Sequence, residues 1–438
     1  MADLRSPEYD VIIVGAGVLG VTAAYWLNAL YDCTIALVDA APAAGMHTTA
    51  RNTGVIHRPF YLDPKKKRVF ARTSDASLPM WQRLAKEGGL PWQQIGTFNV
   101  ALEEEEVRTL ERYRSWGLAN GMEEGELSLL DGRGAKALEP EVRCRAALLS
   151  RTDVSVDFGI FTRYLMRRLV SRGVKFLGGH RVTGIRTSSG NTEVAFRTDS
   201  GPRYATCRYV VNASGGGAID LAHSFGLGLE YTALSFRGEY WVVGEPFASK
   251  VTSNIYRPPH FPQFPFLDPH FVVRADGSRQ IGPNAVMVSG PYVYSGLGLG
   301  SAGSFLNRPV EPKMKLMMNR DFLALLAGEW RSSLSKRAMC GRVQQFVPAL
   351  GPQMLRHRAV FGVRSSVIGP AGFVPEALLL KGEGSAHIVN FNSPGATGAP
   401  AYSALIVREL AEEGALDGLR RKGSADFTAG WDLDAAGA

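Results

Sequence analysis

Gly15-Ala16-Gly17-Val18-Leu19-Gly20 separates a short apolar run from a helical stretch, and an acid, Asp39, ends the next apolar run. Glycines at this spacing let a backbone approach a diphosphate. Gly15 permits the tight turn, Gly17 admits the ligand, and Gly20 lets the following helix lie against a sheet. Val18 and Leu19 fall at the start of that helix, where amides and dipole favour phosphate. Asp39 is placed to accept hydrogen bonds from a ribose diol. Glycines alone are a weak signal. Strand, glycines, helix, strand and acid in register describe a dinucleotide site. A polar segment follows, Thr48-Thr49-Ala50-Arg51-Asn52-Thr53-Gly54, running into His57 and Arg58. Such a loop can continue along a pyrophosphate toward an isoalloxazine ring, which favours FAD over NAD.

The elements that must position these residues are legible around them. Val11-Ile12-Ile13-Val14 and Thr34-Ile35-Ala36-Leu37-Val38 read as buried parallel strands on either side of a helix. A helix over 161–172 and a strand over 174–177 extend the unit. Val182 to Ile185 offers a backbone edge that could meet an adenine. Tyr209 to Asn212 enters Ala213-Ser214-Gly215-Gly216-Gly217, another close-backbone turn. His387 to Phe391 leads into Asn392-Ser393-Pro394-Gly395-Ala396-Thr397-Gly398 and a helical stretch to Glu412. A helix starting near Ala396 would direct its amides at negative charge on a flavin.

Two inserts interrupt this unit. Residues 75–150 carry amphipathic, charge-rich helical segments, including Glu103 to Trp116. Residues 225–350 alternate strand-like runs (Glu239 to Val243, Phe271 to Val273, Ala285 to Val288) with prolines and glycines. The fold class expected is α/β: a Rossmann-like, glutathione-reductase-like FAD-binding domain with a β-sheet-rich substrate domain. The FAD-binding domain is discontinuous, over 1–75, 151–225 and 351–415. The substrate or cap domain takes 76–150 and 226–350, and 416–438 forms a flexible tail.

The 438 residues, 45% hydrophobic and 21% charged, are ordinary for a globular protein with a formal charge of +8. Lys65-Lys66-Lys67-Arg68 and Arg420-Arg421-Lys422 contribute to that excess, but no basic–aromatic interleaving suggests nucleic acid. Small anionic substrates, or loose attraction to an anionic membrane surface, suit it better. Cys33, Cys144, Cys207 and Cys340 form no paired motif, so neither zinc nor a disulfide framework is expected. Glu103 to Glu106 reads as a solvated helix face and not as a metal site. The N-terminus lacks a secretory charge pattern, and glycines break its apolar stretch. A cytoplasmic protein is expected, with peripheral contact on the inner face of the membrane left open.

The chain resembles the FAD-dependent oxidoreductases of the D-amino-acid-oxidase type, and among them the L-2-hydroxyglutarate oxidase/dehydrogenase group. The resemblance runs from residue 9 to about 412. It rests on Arg51 to Ala71 (RNTGVIHRPFYLDPKKKRVFA), Phe236 to Trp241 (FRGEYW) and Ile255 to Val286. Gly362 to Val367 (GVRSSV) and Asn392 to Thr397 (NSPGAT) complete it. It implies oxidation of an L-2-hydroxy acid, foremost L-2-hydroxyglutarate, to the 2-oxo acid, with FAD accepting hydride at N5. The electrons would pass to oxygen, a quinone or an electron-transfer protein. Noncovalent FAD is expected, attachment through His57 staying open. Two readings stand beside it. One is an amine or amino-acid oxidase or a glycerol-3-phosphate dehydrogenase on the same fold. The other is a nucleotide-binding protein without turnover.

Taking hydride from a secondary alcohol requires a base for the hydroxyl proton and cations for the carboxylates. His57, on the loop leaving the pyrophosphate side, is the first candidate base, and His260 in its proline-stiffened loop is the second; His270 lies in the matching segment. Arg364, Arg237 and Arg257 are candidate carboxylate forks, with Arg364 foremost because it lies near the C-terminal flavin segment. Lys67 is counted with them through the resemblance, while Tyr240, Tyr256 and Asn284 could hydrogen-bond the substrate or shape its pocket. Candidate cofactor contacts are Gly15, Gly17, Val18, Leu19, Gly20, Asp39, Thr48, Thr49, Arg51, Asn52, Thr53, Val182, Ala213, Gly215, Pro394, Gly395, Ala396 and Thr397.

Overall fold

In a computed structural model, which describes residues 8–188, 190–296, 309–423 and 430–431, the strand Tyr9–Val14 lies inside an eight-stranded sheet. Ile35–Val38 pairs parallel to it on one side and the end of Gly201–Asn212 on the other. Lys175–Leu177 extends the sheet beyond Ile35–Val38, and Ser385–Val389 pairs parallel to Val210–Asn212. Strand parity explains why the first run is apolar throughout. Val11 and Ile13 pack with the helices on one face, while Ile12 and Val14 pack with Val194, Phe196 and Ala205 on the other. The latter three belong to an antiparallel meander, Arg181–Ser188, Asn191–Thr198 and Gly201–Asn212. The helix Val18–Leu30 is buried along its whole length, beneath the helices Phe158–Ser171 and Gly395–Glu412.

The second unit is sheet-rich. An eight-stranded sheet runs in the order 355–358, 241–243, 279–282, 270–273, 254–256, 97–101, 146–150 and 127–131. A four-stranded sheet comprises 286–288, 232–238, 362–369 and 372–373. A small sheet of Val55–Ile56, Val154–Ser155 and Gln93–Gln94 brings early and middle segments together at the junction.

Several boundaries differ from those read off the sequence. Leu355–Arg358 and Gly362–Gly369, assigned with 351–415 to the nucleotide side, belong instead to the two substrate-side sheets. Gly362–Gly369 is held there by its long antiparallel ladder to Thr232–Gly238, and the nucleotide sheet resumes at Leu378. The helix Arg68–Gly88 crosses the expected boundary at 75/76, because Met80, Trp81, Leu84 and Ala85 pack into the nucleotide-side core. The strand expected over Glu239 to Val243 is only Trp241–Val243. The strand-like insert also holds three helices, Glu311–Met317, Arg320–Leu334 and Lys336–Gln344.

The tail differs too. Leu416 is buried, Arg420–Arg421 pairs with Tyr31–Asp32, and Trp431 is 0% exposed, its Nε1 donating to the Met80 carbonyl at 2.8 Å. Of the expected domains, residues 1–7, 189, 297–308, 424–429 and 432–438 lie outside the described residues.

Candidate active site

The glycine turn does what close packing demands of it. Gly15 has φ +106°, and a Cβ there would run into the Ala213 carbonyl; one on Gly20 would run into the carbonyl of Gly15. Two distant segments therefore meet backbone to backbone at the strand ends. Gly17 caps the helix Val18–Leu30 without a side chain, and the Val18 amide is met by Thr49 Oγ1 at 3.0 Å. Asp39 accepts from the amides of Ala16 and Ala41, each at 2.7 Å, which holds its carboxylate at the strand tip.

These residues border a cleft of about 510 Å³, lined by Gly15, Gly17, Asp39, Thr49, Ala213 and Gly215, with Val182 of the meander at its wall. Val18, Leu19 and Gly20 do not line it; they stand behind it in the first helical turn. Thr48 faces both this cleft and a second one of about 190 Å³. The second is bordered by Arg51, Asn52, Thr53, His57, Tyr240, Tyr256, His270, Asn284 and Arg364, and closed by Pro394 to Thr397. Together they form a trough from Asp39 to the start of the helix Gly395–Glu412. A dinucleotide fits that shape. The glycine backbone leaves room for a diphosphate, Asp39 stands where a diol needs an acceptor, and a helix N-terminus faces the far end.

The far cleft carries unusual electrostatics. Arg364, on the strand Gly362–Gly369, lies directly opposite Phe236 in register, and both side chains line the cleft. Its guanidinium donates to the Pro265 carbonyl, and among the described residues no carboxylate lies within 4 Å of it. Burial pulls its pKa down, but an arginine keeps its charge. Lys67 lies within electrostatic reach, its pKa lowered by burial and then by Arg364.

Around this cation stand buried polar atoms without protein partners: Tyr256 Oη, Tyr61 Oη and His270 Nε2. His270 Nδ1 lies 3.0 Å from the Asp268 carbonyl, which can only accept, so Nδ1 holds the proton and Nε2 presents a lone pair. Tyr256 stacks on the His270 ring at 3.9 Å between centroids, and burial pushes the His270 pKa down to about 3. His57 is packed edge-on by Tyr256 and Tyr61, and its amide donates to Thr397 Oγ1 at 3.2 Å. Its Nδ1 lies 3.5 Å from the buried Asp153 carboxylate.

Other candidates stand elsewhere. Arg257 pairs with Glu106 at 2.5 Å, and both it and His260 border a different groove between Glu106 and Glu329. Arg237 is taken by Glu239 at 2.8 Å, on the face of its strand opposite to Phe236. Asn284 borders the cleft, but its amide is committed to Glu239, accepting from the Glu239 amide and donating to its carboxylate. Lys67 is close to Arg364 without lining the cleft. Tyr240 lines it and shares a hydrogen bond with Thr53 Oγ1 at 3.0 Å. Asp153 and Tyr61 were not among the sequence candidates. Asp153 lies in a short loop with no motif around it, and its burial comes only from the tertiary fold.

Residues 10–410 match the family described as FAD dependent oxidoreductase. The chain is 27% identical over 431 residues to the mitochondrial L-2-hydroxyglutarate dehydrogenase of Nematostella vectensis, covering 93% of this chain and 91% of that one. Among solved structures, L-alpha-glycerophosphate oxidase from Mycoplasma pneumoniae, with FAD bound, has a TM-score of 0.71 at 22% identity, covering 96% of this chain and 97% of that one. Glycine oxidase from Geobacillus kaustophilus has a TM-score of 0.67 at 18% identity, covering 97% of this chain and 98% of that one. The two structural likenesses show a shared fold.

Proposed function

This chain belongs to the family of FAD-dependent oxidoreductases, and from that premise we propose that it oxidises an L-2-hydroxy acid, foremost L-2-hydroxyglutarate, to the 2-oxo acid. One observation carries the reading: Arg364 is a half-buried cation lining the cleft, and among the described residues no carboxylate lies within 4 Å of it. A partly desolvated charge without a counter-ion is costly, and a substrate carboxylate would complete it. The full-length similarity to an L-2-hydroxyglutarate dehydrogenase points to the same class of ligand.

The cofactor's adenosine and diphosphate would be held by Asp39, Gly15, Gly17, Thr49 and the Ala213–Gly215 turn. Arg51, Asn52, Thr48 and the amides at the start of Gly395–Glu412 would border its ring. When bound, FAD supplies the two-electron acceptor for hydride leaving the carbinol carbon.

The protein's own groups bind and deprotonate. Arg364 grips the carboxylate, and Lys67 adds a second positive charge nearby, which favours a dianion. His57 takes the hydroxyl proton at Nε2. His270 cannot be that base, because a group titrating at about 3 does not retain a proton near neutrality. Its lone pair instead accepts a hydrogen bond and helps to orient the hydroxyl. Tyr256, unable to ionise near neutrality, donates from Oη to a substrate oxygen. An amino acid would bring an ammonium that gains nothing from Arg364 and Lys67, whereas glycerol 3-phosphate, another anionic secondary alcohol, is the competitor the assay must include. The test is an aerobic and dye-linked screen of L- and D-2-hydroxy acids, amino acids and glycerol 3-phosphate, with the carbonyl product identified. A 2-oxo acid from the L-hydroxy acid supports the reading. Turnover confined to amines or glycerol 3-phosphate contradicts it.

A further inference from the structure

Asp153 has no part in gripping a substrate or a cofactor, yet it is a carboxylate withdrawn completely from water. Its backbone carbonyl accepts from the amides of Ile95 and Gly96, at 3.2 and 3.1 Å, and its Oδ1 accepts from the amide of Arg58 at 3.1 Å. The adjoining ladder, Val154 against Ile56, fixes this loop beside the His57 loop. Arg58, the obvious counter-ion, turns away: its Nη2 pairs with Asp75 at 2.9 Å and Glu126 at 3.0 Å. Asp153 Oδ2 is buried without a partner, and among the described residues the cation candidate within 4 Å is His57 Nδ1.

The geometry points to Asp153 as the positioning residue that makes His57 a base toward the cleft. This rests on the proposed oxidation of a hydroxy acid. With the carboxylate facing Nδ1, the neutral imidazole keeps its proton there and presents Nε2 to the substrate hydroxyl. When the hydroxyl proton arrives at Nε2, the O–H bond breaks, an N–H bond forms, and the ring becomes a cation beside a carboxylate. The pair is therefore complete only as the reaction proceeds, which is where stabilisation accelerates it. Other groups facing the imidazole are Tyr61, Tyr256 and His270, with Arg364 in the same cleft. None of these supplies a negative charge near neutral pH. Asp153 does.

The test uses FAD-loaded enzyme and Asp153→Asn, which keeps the shape and the acceptor for the Arg58 amide while removing the charge. Asp153→Ala accompanies it. The readouts are kcat/KM for L-2-hydroxyglutarate across pH, and the ring titration of His57 by NMR of histidine-labelled protein without substrate. The expected result for Asp153→Asn is an acid limb moved to lower pH, with the plateau about 10- to 100-fold lower. The NMR titration should move in the same direction, while KM changes less than about threefold. An unmoved limb and an unmoved NMR titration overturn the assignment, even if stability falls. If the wild type oxidises no hydroxy acid, the functional reading fails, and the NMR arm still decides the Asp153–His57 coupling.

Discussion

Replacing Arg364 with methionine should move activity and stability in opposite directions. A substrate carboxylate about 4 Å from the guanidinium, at an effective dielectric of about 20, is held by about 4 kcal/mol. Its loss amounts to a fall of roughly 10³-fold in kcat/KM. The same substitution removes a half-buried charge whose one hydrogen-bond partner among the described residues is the Pro265 carbonyl. Methionine fills a similar volume without a charge to desolvate, so the substrate-free protein should gain about 1–3 kcal/mol after losing that hydrogen bond. At about 2.1 cal/mol/K per residue, 438 residues unfold with close to ~0.9 kcal/mol/K, so the gain reads as a rise of about 1–3 °C in Tm. The assay is steady-state turnover with a saturating dye acceptor beside scanning fluorimetry of the FAD-loaded protein. A variant within about threefold of wild-type kcat/KM would refute the carboxylate grip. One whose Tm falls several degrees would show that Arg364 serves the fold instead.

Gly15→Ala should abolish FAD retention, because the residue is left-handed and its Cβ meets the Ala213 carbonyl; absorbance of the protein after gel filtration reads this, and full retention would contradict the cradle. Lowering pH should destabilise the protein through His270, whose folded pKa of about 3 lies below the unfolded value of about 6.5. Between those values the unfolded chain binds the proton first, so stability is complete above about pH 6.5 and falls toward pH 3, by about 1.4 kcal/mol per unit. In His270→Asn the urea midpoint should fall less steeply over that window; an identical slope would contradict a buried neutral ring. Trp431→Ala should cost about 3–5 kcal/mol, because the ring is buried against Tyr25 and Trp81. A Tm unchanged in fluorimetry would show that the C-terminal contact is dispensable.

What the sequence disclosed was mainly what local chemistry dictates. Gly15 and Gly20 have roles set by close backbone approach, and the fold shows that approach; Asp39 stands at its strand tip, accepting from the Ala16 amide. Parity could have sorted the arginines. Phe236 faces the cleft, so Arg237, its neighbour on an extended strand, faces away toward Glu239; Tyr256 and Arg257 divide in the same manner. The helices over 311–344 were hidden because buried Lys313, Glu329, Ser332 and Ser333 interrupt their apolar faces. Arg342 pairs with the buried Glu329 at 2.7 Å, a partnership no periodicity displays. Trp431 lies amid small and polar residues and announced no element of its own, yet it packs beneath the helix that Trp81 ties to the Thr397 carbonyl at 2.8 Å. Asp153 depends on loops brought together by the ladder between Val55–Ile56 and Val154–Ser155, which is a tertiary fact.

The central claim is tested most directly by adding L-2-hydroxyglutarate anaerobically to the FAD-loaded protein and following the oxidised-flavin absorbance. Bleaching with formation of one 2-oxo acid per flavin, by the L and not the D enantiomer, is the predicted result. A spectrum unchanged by the L acid, in protein that dithionite still bleaches, would contradict it.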